Sequence, residues 1–128
     1  MPRATQLSVS LANKPGQLAK LAATMKRAKV NLLAISVVDN TDTGLVRLIA
    51  DDSAKATRAL ARVGMKPLRQ PVLVLHLPNE PGALAEASAK LAASGVNINY
   101  CYGSVARQAA EGSVVLGVDD LDKALRAA

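Results

Sequence analysis

Asn13-Lys14-Pro15-Gly16-Gln17-Leu18-Ala19 returns 66 residues later as Asn79-Glu80-Pro81-Gly82-Ala83-Leu84-Ala85. Val30-Asn31-Leu32 returns at the same offset as Val96-Asn97-Ile98. GLVRLIADD, from Gly44 to Asp52, returns as GSVVLGVDD, from Gly112 to Asp120, at an offset of 68. Lys55-Ala56-Thr57-Arg58-Ala59 matches Lys123-Ala124-Leu125-Arg126-Ala127 at that same offset. A repeat of this length is a whole small domain, because solenoid units have periods of about 20–50 residues. The chain therefore reads as two copies of one module, residues 1–70 and 71–128.

Working outward from the turn gives the elements. Gln6 to Ala12 alternates, with Leu7, Val9 and Leu11 on one face, which predicts a strand. The Asn-Lys-Pro-Gly turn breaks it. Leu18, Leu21, Ala22 and Met25 then fall on one face of a helix ending near Ala28. Val30–Val38 and Leu45–Ala50 read as strands joined by turn-forming residues, hence a hairpin. Asp51-Asp52-Ser53 offers caps for a second helix carrying Ala56, Ala59, Leu60 and Val63. Residues 65–70 are expected to form a short fourth strand, confined to an edge by Pro67 and Pro71.

Strand, helix, strand, strand, helix, strand is the split βαβ order. It predicts an α+β chain of two ferredoxin-like βαββαβ modules, each an antiparallel sheet with helices on one face. In the second copy the strand is marked by Leu73, Leu75 and Leu77, and the helix by Leu84, Ala87, Ser88 and Leu91. Its hairpin is expected over Val96–Val105 and Ser113–Val118. Ala128 aligns with Leu60, so this module is expected to lack its last strand, leaving Val72–Leu77 with an open edge. Bare apolar edges pair with something. A dimer or larger assembly is the consequence, with His76 at the seam.

Composition bounds the function. Half the residues are apolar, with no Phe or Trp and two Tyr, so the cores are aliphatic. Modules of this size are near the lower limit for folding alone, so shared surface is expected. One cysteine, Cys101, permits no internal disulfide and fits a reducing compartment. No window approaches the ~18 apolar residues of a membrane span, and the start of the chain has no apolar signal core. A cytoplasmic location without membrane association is the expectation. Net charge is +6, unevenly spread. Residues 1–70 hold 12 basic and 4 acidic side chains, a net +8; residues 71–128 hold 4 and 6, a net −2. A basic half can attract nucleic acid. Lys20, Lys26, Arg27 and Lys29 nevertheless fall on the solvated side of the first helix, and no aromatic residues interleave with them for base stacking.

Two kinds of position merit attention. At the Asn-x-Pro-Gly turns, Gly16 and Gly82 allow a tight backbone and close approach. The helix amides behind them lack internal partners and accept anions, while Asn13 and Asn79 add a donor and an acceptor. The plainer reading is that Asn, Pro and Gly simply suit a strand-to-helix turn. Asn31 and Asn97 sit among apolar residues at strand starts, where Asn is disfavoured. Each lies at the opposite end of its helix from the turn, so it serves a site only by meeting another module's turn. Otherwise it closes the helix-to-strand turn through its own backbone bonds.

Enzymatic chemistry finds no support. His76 lies in a strand, and its counterpart is Ser10. Cys101 has no neighbouring His or Cys for activation or metal binding. Gly112 and Gly117 form no phosphate loop. Asp51, Asp52, Asp119 and Asp120 suit helix capping. No catalytic, metal or cofactor residues are assigned.

The turn, the amphipathic helix, Val-Asn-Leu or Val-Asn-Ile, and then a hairpin together resemble the ACT domain, a small regulatory module that binds amino acids. The resemblance covers residues 5–70 and again 71–128. It implies a stand-alone tandem sensor that binds a free amino acid between modules and acts on an unidentified metabolic enzyme or transporter. In the ACT domain of phosphoglycerate dehydrogenase, serine is held by an Asn of the Pro-Gly turn, by nearby backbone, and by a strand-start Asn of a neighbouring domain. These roles fall on Asn13, Pro15, Gly16, Gln17, Leu18 and Asn31, and on Asn79, Pro81, Gly82, Ala83, Leu84 and Asn97. That enzyme also uses a His two residues before the turn Asn, where this chain has Leu11 and Leu77. Two rivals stand beside this reading. One is a structural or regulatory subunit without ligand. The other is an RRM-like nucleic-acid module, which is disfavoured because its central strands would need stacking aromatics; here they offer Leu7, Val9, Leu11, Leu45, Val46 and Leu48.

Overall fold

The computed structural model describes residues 2–128. The chain divides into two compact units: Thr5–Gln70, and Pro71–Ala128 together with residues 2–4.

The first unit is built from β1 (Arg3–Ala12), α1 (Gln17–Arg27), β2 (Leu32–Asn40), β3 (Thr43–Ala50), α2 (Ser53–Arg62) and the beginning of β4 (Leu68–Pro78). Its strands lie in the order β2-β3-β1-β4. β1 and β2 both pair antiparallel with β3, so that Leu7 and Ile35 stand opposite Leu48, and Val9 and Val37 opposite Val46. Alternation sends Leu7, Val9, Leu11, Val46, Leu48 and Ala50 to one face. Leu21 and Met25 of α1 and Ala56, Ala59 and Leu60 of α2 cover that face and complete a single buried cluster. Burying one such leucine contributes about 1.5–3 kcal/mol.

The second unit repeats the plan with β4, α3 (Ala83–Ala93), β5 (Ile98–Ser104), β6 (Glu111–Val118) and α4 (Leu121–Ala127). Leu73 stands opposite Leu116, and Ile98 opposite Val118. Leu73, Leu91, Val96, Leu116 and Ala124 form its buried centre. Both outer hairpins carry a register shift at the same place, between Leu32 and Ala34 and between Ile98 and Tyr100. The repeat thus extends to an irregularity of the backbone.

Two expectations are corrected here. The edge of Val72–Leu77 is covered over its first part: Val74 N–H donates to the Pro2 carbonyl at 2.7 Å, and Val72 and Leu73 are fully buried. The second unit has no strand after α4, but residues 2–4 lie against β4 in the place the missing strand was expected to leave open. The bare-edge argument for an oligomer therefore loses the part of β4 that residues 2–4 cover. His76 Nδ1 lies 3.0 Å from the hydroxyl of Ser113, its partner across β6. The second correction concerns β4. Residues 65–70 are not a separate short strand; β4 runs unbroken for 11 residues through Pro71. Proline's fixed φ is compatible with an extended chain, and only its missing donor must be accommodated.

Candidate functional site

Both Asn-x-Pro-Gly turns are built alike. Glycine occupies the residue before the helix in the left-handed region, Gly16 at φ 88° and Gly82 at φ 88°. A Cβ on either would meet nothing within 4 Å. Backbone conformation, not crowding, demands glycine there, and the space beside it stays open.

The helix starts differ in kind. Asp52 accepts the Lys55 N–H and Asp120 the Lys123 N–H, each at 3.0 Å, so α2 and α4 are capped by side chains. Among the described residues α1 and α3 have no side-chain cap. The first bonds of their ladders are Lys20 N–H to the Gly16 carbonyl and Glu86 N–H to the Gly82 carbonyl. The amides of Leu18, Ala19, Leu84 and Ala85 precede those ladders, at the positive end of the helix dipole.

The turn asparagines are only half available. Asn13 Nδ2 donates to Asp39 Oδ1 at 3.2 Å and to the Thr41 carbonyl at 2.9 Å. Asn79 Nδ2 is shared among the carbonyls of Ala106, Arg107 and Ala109, at 3.4, 3.2 and 2.9 Å. Their backbone amides donate to the Asp42 and Ala110 carbonyls. Each asparagine thus clamps the hairpin loop to the turn. The expectation of both a donor and an acceptor at the site is corrected accordingly: the donors are spent on the loop, and only the amide oxygens remain for another group.

In the second unit this arrangement borders a cavity of about 260 Å³. Asn79, Ala83 and Leu84 line it from the turn side, and Gly103, Ser104 and Ser113 from the hairpin. The hairpin needs both Gly103, which the sequence did not mark, and Gly112, which it marked only as part of the repeat. A Cβ on Gly103 would lie 2.5 Å from the Ser113 carbonyl, and one on Gly112 would lie 2.6 Å from Val105 Cβ. A glycine inside a strand is itself a signal of close backbone approach. Pro81 and Gly82 shape the turn without lining the cavity. In the first unit Pro15, Gly16 and Gln17 occupy the matching positions, and Leu18 stands 47% exposed, as Leu84 does at 48%.

Asn31 and Asn97 are not brought to the turn of their own unit. β2 has nine residues, and at about 3.3 Å per residue Asn31 lies about 25–30 Å from the hairpin end that Asn13 grips. Their backbones close the adjoining turn. Asn31 N–H donates to Asp51 Oδ1 while Asp51 N–H donates back to the Asn31 carbonyl, both at 3.0 Å. Asn97 and Asp119 repeat this at 2.9 and 3.1 Å. Asn97 Nδ2 also donates to Asn99 Oδ1 at 2.8 Å.

The fold and the paired turns define a tandem of two ferredoxin-like modules. Residues 3–127 match the family model described as an ACT domain pair, and the chain belongs to that family. A crystallised protein of Bacteroides thetaiotaomicron is similar at 32% identity over 98% of this chain and 86% of its own, with a TM-score of 0.92. The regulatory subunit of aspartate kinase from Thermus thermophilus shares the fold at 18% identity, covering 96% and 89% of the two chains with a TM-score of 0.71. That from Thermus flavus does so at 18% identity, 99% and 94% coverage and a TM-score of 0.62. A search of the curated proteins returned no match. Among the described residues no helix is long and apolar enough to cross a membrane.

Proposed function

We propose that this chain is a sensor that binds a free amino acid at its Asn-x-Pro-Gly turns and passes the change by contact to a metabolic enzyme or transporter. The observation that carries this reading is the contrast between helix starts. The two helices without a turn motif are capped by aspartate; the two behind the motif are left uncapped beside an open left-handed glycine. An amino acid supplies what is missing. Its carboxylate takes the free helix amides, its ammonium takes the asparagine Oδ1, and Leu18 or Leu84 flanks its side chain. Asn31 and Asn97 take part from a neighbouring module of a second chain. β2 is the outermost strand of the first unit, and its Leu33, Ile35 and Val37 are 62%, 42% and 52% exposed, which favours a dimer or larger assembly.

The alternative, a subunit that binds no ligand, draws on the hydrogen bonds that spend the asparagine donors on the hairpins. Thermal melts of the full chain with each of the twenty amino acids at millimolar concentration decide between them. A ligand at about 100 times its Kd adds about 2.7 kcal/mol of stability. Asn13→Ala or Asn79→Ala is expected to weaken that ligand by about 10–100-fold. No shift with any amino acid leaves the structural subunit as the answer, and a shift indifferent to both substitutions places the ligand away from the turns.

A further inference from the structure

A void beside the first helix occurs in both units, but its chemistry differs between them. In the first unit it holds about 410 Å³, between the end of β1, the start of α1 and residues 63–66 after α2. In the second it holds about 240 Å³ and is bordered by Leu77, Pro78, Ala83 and Glu86. These are the counterparts, 66 residues on, of Leu11, Ala12, Gln17 and Lys20, which border the first. The fold makes the space, and the residues decide what suits it. The second unit sets Glu86 and Lys90 beside its void, so the charges cancel. The first sets Lys20 and Lys66 beside its own, with no acidic residue.

Four polar side chains border the first unit's void: Ser10, Gln17, Lys20 and Lys66. Among the described residues none of these side chains makes a hydrogen bond or ion pair, and all four can donate. α1 begins here without a side-chain cap, so its positive end adds to the lysines. α2 ends here, and its negative end opposes them. The amides of Val63, Gly64 and Met65 already take the Leu60 and Ala61 carbonyls, which weakens that opposition. The surrounding field has the sign of the lysines. α1 and α2 carry Lys20, Lys26, Arg27, Lys55, Arg58 and Arg62 and no acidic residue. α3 and α4 carry three basic residues and two acidic ones. The first unit's void is thus polarised for an anion.

Charge number and lining specify the anion further. Two ammonium groups on separate elements suit a dianion better than a single carboxylate. A phosphate monoester carries about −1.5 to −2 charges at pH 7 and offers three acceptor oxygens to the donors. Leu11 is buried and Val63 and Met65 are half-buried around the same space, so a carbon chain has apolar surface to rest on. Among the described residues no aromatic side chain lines it for stacking a base. The volume falls within the range of small-molecule sites, about 300–1,000 Å³. We infer that this cavity of the first unit binds a phosphate monoester of a small aliphatic compound, with Lys20 and Lys66 on the phosphate and Leu11 and Met65 against the carbon chain. The site stands apart from the Asn-x-Pro-Gly reading: it needs neither Asn13 nor an amino acid.

Calorimetric titration of the full chain with butyl phosphate tests this. Saturable heat is expected at one site per chain. Inorganic phosphate, which lacks the carbon chain, and succinate, which lacks the phosphate, are each expected to bind about 10-fold more weakly. Butanol is expected to give no heat. Lys20→Glu, which installs the second unit's residue, is expected to weaken the ester by at least about 10-fold, and Lys66→Gln by about 10-fold. Both side chains are exposed, so the melting of the unliganded chain is expected to change little. Absence of saturable heat at millimolar ester overturns the inference. So does inorganic phosphate or succinate binding as tightly as the ester, and so does ester binding that survives both lysine substitutions. Ester binding lost in Asn13→Ala but kept in both lysine variants places the ligand at the turn and overturns it as well.

Discussion

The two units share their backbone devices and differ in how they fill space. Turn, left-handed glycine, aspartate cap, reciprocal Asn–Asp turn and hairpin irregularity all occur twice. Core volume does not repeat. Leu7, Val9 and Leu11 are all buried in the first unit, whereas only Leu73 of its three counterparts is buried in the second. On the other face of the sheet the sizes are exchanged across one pair. Ala34 stands opposite Ile49 in the first unit, and Tyr100 opposite Gly117 in the second. The lesson is that hydrogen-bonding and φ requirements admit few residues, so those positions repeat. Apolar volume can be traded among neighbours, so it drifts, as Leu21 against Ala87 and Ala34–Ile49 against Tyr100–Gly117 show.

Transplanting residues between units breaks or sharpens this comparison. The largest effect is expected from Leu21→Ala, which gives the first unit the second unit's residue. Leu21 is fully buried, and its loss is expected to cost about 2–5 kcal/mol, read as a lower urea midpoint at constant slope. A cost near zero would show that the first core closes over the gap left by the smaller residue.

A smaller effect is expected from Gly117→Ala. A methyl group there runs into the ring of Tyr100, which lies over the glycine. Overpacking of this sort costs about 1–3 kcal/mol. Tyr100→Ala added to Gly117→Ala is expected to recover part of that loss, because the two side chains compete for one space. Additive costs in the double mutant would mean that the Gly–Tyr fit is not what holds this pair.

The smallest effect, and the one that should be equal in both units, is loss of the aspartate caps. Asp52→Ala and Asp120→Ala are each expected to cost about 1 kcal/mol in thermal denaturation, since each removes one acceptor at 3.0 Å from one helix amide. A marked inequality would place the difference between the units in the backbone as well as in the cores.

Much of this architecture was legible in the residues. The alternation of Leu7, Val9 and Leu11 and the helical spacing of Leu21 and Met25 located β1 and α1 because burial imposes those periods. The aspartates before α2 and α4 read as caps and are caps. β4 was legible only in pieces, because Pro71 looks like a break to local rules and the extended chain tolerates it. The contact of residues 2–4 with β4 was not legible at all: nothing in Pro2-Arg3-Ala4 encodes which strand edge accepts it. The candidate turn site was legible as a motif. Its polarity was not, because whether Asn13 and Asn79 offer donors or acceptors depends on hairpin loops 26 to 30 residues away.

By itself, then, the sequence determined the duplication, the strand and helix order, the glycines that must turn left-handed and the aspartates that begin α2 and α4. Each of these rests on a local requirement of period, φ or hydrogen bonding that few residue types meet. The tertiary structure alone decided that residues 2–4 lie on β4, that the turn asparagines spend their donors on the hairpins, and that Leu75 and Leu77 stay half-buried where Val9 and Leu11 are buried. Those outcomes depend on which distant groups meet and on how much volume they leave, and volume and long-range pairing are properties of the packed chain rather than of any stretch of it.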